Sequence, residues 1–214
     1  MPKNVSPRFL LSLVDLSRAL KLAELAKALA VTKGFGVDLI LNFISRVGLE
    51  KLDLGDLGLD DTHIKYLSNF CDSLGLLDSE NFKLSALGEK ILNLKNKEAK
   101  IAILMQLTLN WEPIKVLSEY LNVVKEATPD EIVEDLGWVM EKRTDELIKL
   151  RLISWQQKPF KKPFNPHIVN AIIIPWAVQL EIFHKDDKGK IRLIKPTENY
   201  RIHVVSSEKR EKLT

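Results

Sequence analysis

Residues 61–92, DTHIKYLSNFCDSLGLLDSENFKLSALGEKIL, change hydrophobic period partway along. Ile64, Leu67, Phe70, Cys71 and Leu74 fall at helical spacing, while Lys65, Ser68, Asn69 and Asp72 lie mostly off that face. After Gly75 the apolar residues shorten to two runs, LLD and FKL, bounded by polar turn residues at 78–81. The pattern predicts helix, strand, tight turn, strand and a second, glycine-containing helix start. Upstream, the helical period stands alone. Residues 7–20, with Phe9, Leu10, Leu13 and Leu16, predict one helix, and KLAELAKALAV predicts another with Leu22, Leu25, Ala26 and Leu29 inward. Gly34 and Gly36 break the chain before a third helix over 37–47, which Gly48 closes.

A polar and basic break, NLKNK, separates this half from the next. AKIAILMQLTL is apolar nearly all round, so it is expected to be buried on most of its surface as a central scaffold helix. Trp111-Glu112-Pro113 ends it and starts another, with Leu117, Tyr120, Leu121 and Val124 as the buried face. Thr128-Pro129-Asp130-Glu131 is the sharpest helix start, because a cap hydroxyl, a first-turn proline and two acids all suit the free amides there. That helix is expected to end about Gly137, with a further one over MEKRTDELIKL. Three prolines in QQKPFKKPFNP deny helix and central strand and mark a linker. Pro175 interrupts the apolar run 168–183, which predicts two helical pieces or a strand and a helix. D-D-K-G makes a hairpin turn, and EIF, KIRLI and YRIHVV are candidates for a small sheet.

Helix, glycine, strand, polar turn and strand over 61–92 resembles the recognition helix and wing of a winged-helix domain. LSALGEKIL is similar to the L-T-x-x-G ending common in such domains. KLAELAKALAV resembles the supporting helix of helix-turn-helix proteins, although its residues alone suit any amphipathic core helix. Residues 128–155 resemble a second winged helix, and the strands near the end a third, degenerate one. The resemblance implies a mainly α fold with small β wings in tandem winged-helix units: 1–95, 98–157, and a small α/β unit over 165–214. It extends to winged-helix transcription regulators and to the DNA-recognition halves of modular restriction endonucleases, where a separate domain cuts.

Double-stranded DNA is the partner this resemblance implies, with phosphate contacts fixing register and polar helix residues touching base edges. The residues it singles out are His63, Lys65, Ser68 and Asn69 in the first unit and Lys142, Arg143 and Lys149 in the second. The linker adds Lys158, Lys161 and Lys162, interleaved with Phe160 and Phe164. It reads equally as a connector whose phenylalanines dock on neighbouring domains.

Composition keeps a second class of function open. The 214 residues, 45% hydrophobic and 29% charged, can form one large domain or two to three small ones, with the profile of a soluble helix-rich protein. A net charge of +3 permits DNA binding without arguing for it. It fits as well a winged-helix scaffold that binds protein partners, or a second copy of itself, in a chromosome-maintenance or DNA-processing complex. The single cysteine, Cys71, excludes an internal disulfide, reads as a packing residue and fits a reducing cytoplasm. No stretch reaches the roughly 18 apolar residues that span a bilayer, and the N-terminus lacks a signal-peptide core, so no membrane partner is expected.

Catalytic signals are scarce. The four histidines are far apart and lack zinc spacing, and no hydrolase, metalloprotease or dinucleotide motif is present. Residues 32–36 lack phosphate-loop spacing. Glu181, Asp186, Asp187, Lys188 and Lys190 supply the residue types of a nuclease, but the acids cluster in a predicted turn. No catalytic residue, metal or cofactor is therefore assigned, and nuclease activity would need a partner domain.

Overall fold

Side-chain caps fix where most of the helices begin. The computed structural model describes residues 5–29, 34–48, 58–154 and 163–194. Ser6 accepts from the Phe9 N–H and Pro7 takes the first position of α1 (Pro7–Leu13). Asp15 accepts from the Arg18 N–H as α2 (Leu16–Leu29) begins. The first N–H of α3 (Val37–Gly48), on Val37, is bonded at 3.0 Å to the side chain of Gln179, far along the chain. Asp60 caps α4 (Asp61–Ser73), which leads through β1 (Leu77–Asp78) and β2 (Lys83–Leu84) to α5 (Ala86–Asn93), capped by Ser85. The hairpin is antiparallel, with Leu77 opposite Leu84 and Asp78 opposite Lys83. The expected order of elements over 61–92 is thus the observed one.

Next come α6 (Lys97–Asn110), α7 (Glu112–Val124), β3 (Glu126–Ala127) and α8 (Pro129–Lys149). After residue 162, a π-helical turn (Ile168–Ile173) runs into α9 (Ile174–Gln179), followed by β4 (Phe183–Lys185) and β5 (Ile191–Leu193). The strands form an antiparallel sheet of order β3-β5-β4. β3 comes from the stretch expected as the second unit, β4 and β5 from the stretch expected as the third. One sheet holds both stretches together.

Two expectations are corrected. α8 does not end at Gly137 but runs unbroken to Lys149. Glycine costs a helix about 1 kcal/mol, and the buried stripe of Ile132, Leu136, Val139, Met140 and Leu147 outweighs it. α6 is not buried on most of its surface: only Leu104 and Thr108 are fully covered, and Ile101, Ile103, Met105, Leu107 and Leu109 are half-buried. Of the two alternatives for 168–183, the structure has two helical pieces, a π-helical turn and α9, with Pro175 in the first turn of the second. YRIHVV lies outside the described residues.

α2 packs on α4, α7 and α8, so the two halves share one hydrophobic core. At its centre the Phe70 ring meets Trp111 at 5.9 Å and Trp176 at 5.2 Å, both edge-on. The Trp176 indole N–H donates to Thr108 Oγ1 at 2.9 Å in the interior. Gly34 lies so close to the π-helical turn that a Cβ there would stand 1.9 Å from the Ala171 carbonyl oxygen. Among the described residues no helix is long and apolar enough to cross a membrane.

Candidate interaction surface

α4 and its hairpin present an acidic face. Asp60 Oδ1 accepts from the His63 backbone N–H at 2.8 Å and stands 2.7 Å from His63 Nδ1, which holds the Asp60 carboxyl below its usual range. His63, half-buried, is therefore engaged in the cap of its own helix. Asp61, Thr62, Lys65 and Asp72 are exposed and Asn69 is half-buried, so with Asp60 three acids accompany one lysine. Ser68, expected on the exposed side, is only 4% exposed. It sits four residues after Ile64 and three before Cys71, which puts it on the apolar stripe, out of reach of a base edge. At the hairpin tip Asp78 accepts from the Asn81 side chain and from the backbone N–H groups of Asn81 and Glu80, which lowers its pKa. Ser79 donates to Asp72 and ties the tip back to α4.

The second helix–hairpin pair has the opposite character. Ile168, Val169, Ile172, Ile173, Ile174, Trp176 and Ala177 are buried along the helix. Its hairpin is basic, with His184, Lys185, Lys188 and Arg192 exposed. None of the four is among the DNA-contact candidates of the sequence, although Lys185, Lys188 and Arg192 in and around D-D-K-G are a readable signal. Asp186 accepts from the backbone N–H of Lys188 at 2.9 Å and of Lys190 at 2.8 Å. Lys190 pairs with Glu126 on β3, which raises its pKa. The acids and lysines of nuclease type thus build a turn.

The remaining candidates divide. Lys142 and Lys149 are exposed on α8. Arg143 instead fastens α8 to the α1–α2 corner, donating to the carbonyls of Val14 at 2.7 Å and Leu11 at 2.6 Å while pairing with Glu146. Lys158, Lys161, Lys162 and Phe160 lie outside the described residues; Phe164 is fully buried. Among the described residues no group of His, Cys, Asp and Glu could hold a metal ion. Burial pushes the Cys71 thiol pKa up, which suits a packing residue.

A groove of about 620 Å3 opens between α2, the carboxyl end of α4 and the α6–α7 corner. Leu25, Leu74, Leu107 and Trp111 line it together with the charged Lys21, Glu24, Asp72 and Glu112. Arg18 on α2 bonds the lining residue Glu112 at 2.7 Å and Glu119 at 2.6 Å, contacts that keep its guanidinium charged. No protein-family model matches the chain, and comparison with curated proteins and with solved structures gives no match.

Proposed function

We propose that this chain is a tandem winged-helix scaffold that binds protein partners in a DNA-processing or chromosome-maintenance complex. The first winged helix is α2, α3, α4 and the β1–β2 hairpin. The second is α7, β3, α8, the helix over 168–179 and the β4–β5 hairpin, with β3 beside β5. This grouping joins 98–157 and 165–214 into a single unit.

The burial of the helix over 168–179 carries the proposal. A winged helix reads DNA by laying the helix before its hairpin into a major groove about 12 Å wide. Here that helix is fastened to the first unit through Gln179–Val37, the Gly34–Ala171 approach and the Trp176–Phe70 ring contact, and to α6 through Trp176–Thr108. The corresponding helix of the first unit, α4, is exposed but carries Asp60, Asp61 and Asp72 where phosphates would come near. α6 leaves Ile101, Ile103, Met105, Leu107 and Leu109 only half-buried among exposed polar residues, a surface that a protein partner could finish covering.

The test is a duplex-DNA titration across salt concentration. The scaffold reading expects weak binding at low salt with a shallow salt dependence. Tight binding whose logarithm falls steeply with the logarithm of salt would overturn it. DNA contact remains the second reading, favoured by the exposed basic hairpin and by Lys142 and Lys149. On that reading the K185E/K188E/R192E variant loses duplex binding.

A further inference from the structure

On the scaffold reading, we propose that the groove between α2, the carboxyl end of α4 and the α6–α7 corner docks a peptide segment of a partner protein. That segment carries a lysine or arginine beside a large apolar residue. The volume of about 620 Å3 suits several side chains. Leu25, Leu74, Leu107 and Trp111 give it an apolar lining, and Leu107 joins it to the half-buried apolar surface of α6.

Its electrostatics select the charge of the occupant. α4 ends at Ser73 and α6 at Asn110, and both residues line the groove. Two helix carboxyl ends, each equivalent to roughly half a negative charge, therefore converge there. Glu24 and Asp72 add two exposed carboxylates, which Lys21 offsets only in part. Glu112 faces the positive start of α7 and is already bonded to Arg18, so it adds little. The balance favours a cation, and the lining beneath favours an apolar neighbour to it. Trp111 is 5% exposed and its indole N–H has no acceptor among the described residues.

The experiment selects a phage-displayed random peptide library on the full chain. The enriched peptide is then synthesised and titrated against wild type, E24K/D72K, L107S and, as a control, K185E/K188E. The expected consensus places Lys or Arg within two positions of Leu, Ile, Phe or Trp. Its affinity falls at least tenfold with E24K/D72K, falls with L107S and is unchanged by K185E/K188E, with each variant's melting temperature recorded to separate lost binding from lost fold. An acidic consensus, or one insensitive to E24K/D72K and L107S, overturns the groove while leaving the scaffold reading in place. Failure to enrich any peptide also overturns the groove. Combined with steeply salt-dependent duplex binding, that failure removes the scaffold reading too.

Discussion

The two helix–hairpin pairs follow the same order along the chain and treat their helices in opposite ways. α4 buries one stripe and shows solvent Asp61, Thr62, Lys65 and Asp72, beside an acidic hairpin tip. The helix over 168–179 is covered by α3, α4, α6 and α8, and its hairpin is basic. Composition explains the difference. HIVNAIIIPWAVQ offers water only His167, Asn170 and Gln179, whereas α4 has a charged face. The helix in front of a hairpin is thus not committed to a ligand: in this chain one such helix is a surface and the other a fastener.

The largest test of that contrast is Trp176→Ala. It removes a ring that is 1% exposed, its edge-on contact with Phe70 and the donor to Thr108. Truncations of this kind cost about 3–5 kcal/mol, and the loss should appear as a lower urea midpoint. His63→Ala, on the exposed pair, should move the midpoint far less. Equal effects would mean that the second helix is not the fastener.

Two glycines sharpen the comparison at somewhat lower cost. Gly34→Ala would set a Cβ 1.9 Å from the Ala171 carbonyl, and Gly88→Ala one 2.3 Å from the Leu76 carbonyl. Neither backbone can yield cheaply, so each should cost on the order of 1–3 kcal/mol. The sites of strain differ: Gly34→Ala pushes the π-helical turn off the first half, whereas Gly88→Ala separates α5 from its own hairpin. Cys71, fully buried, reports on opening through its rate of thiol labelling. Both variants should label faster than wild type, and unchanged rates would show that the close approaches are not felt.

The first pair was legible in the sequence because its signals are local. Helical spacing gives way to short apolar runs at Gly75, and Ser85 stands where a cap is needed. Ser68 is polar by type, yet its spacing from Ile64 and Cys71 sets it on the buried stripe, and the spacing prevails. The end assigned to α8 at Gly137 rested on a local penalty that tertiary burial overrides. Of the second sheet, local reasoning reaches the β4–β5 hairpin, from the D-D-K-G turn between EIF and KIRLI, but not β3. β3 is two residues long, too short to carry a period, and its partner β5 lies more than sixty residues on, with Glu126 opposite Arg192. Of the candidate site, the basic linker lies outside the described residues, and the basic hairpin is legible as a hairpin but not as a surface, since its exposed cations come from both strands. The groove draws on α2, α4, α6 and α7 and has no signature in any one stretch.

Helix caps next to the two sheets make a smaller test. Thr128 and Glu131 form a capping box at the junction of β3 and α8, while Ser85 caps α5 and donates to the Gly75 carbonyl at 2.7 Å. Thr128→Ala and Ser85→Ala should each cost about 1 kcal/mol. If the sheet containing β3 welds the second half together, Thr128→Ala should also raise amide exchange at Ile191, opposite Ala127, whereas Ser85→Ala should leave Ile191 alone.

The smallest effect separates the hairpins by pH. In the first pair, hydrogen bonds to Asn81 hold Asp78, and bonds to His63 hold Asp60, below the ordinary value of 3.8. A carboxyl whose folded pKa is depressed contributes stability above 3.8 that is lost as pH falls through the folded value. In the second pair, Glu126 holds Lys190 above the ordinary 10.5, so its contribution is complete below 10.5 and is lost as pH rises through the folded value. All three groups are exposed, so solvent screening keeps the effects local and small. Methyl resonances should register them separately, Leu77 moving on acidification and Ile191 on alkalinisation. Asp78→Asn should weaken the acid limb at Leu77, and Glu126→Gln the alkaline limb at Ile191. A single transition moving both methyls together would instead mean that the hairpins are electrostatically one unit, and the contrast between them would then rest on burial alone.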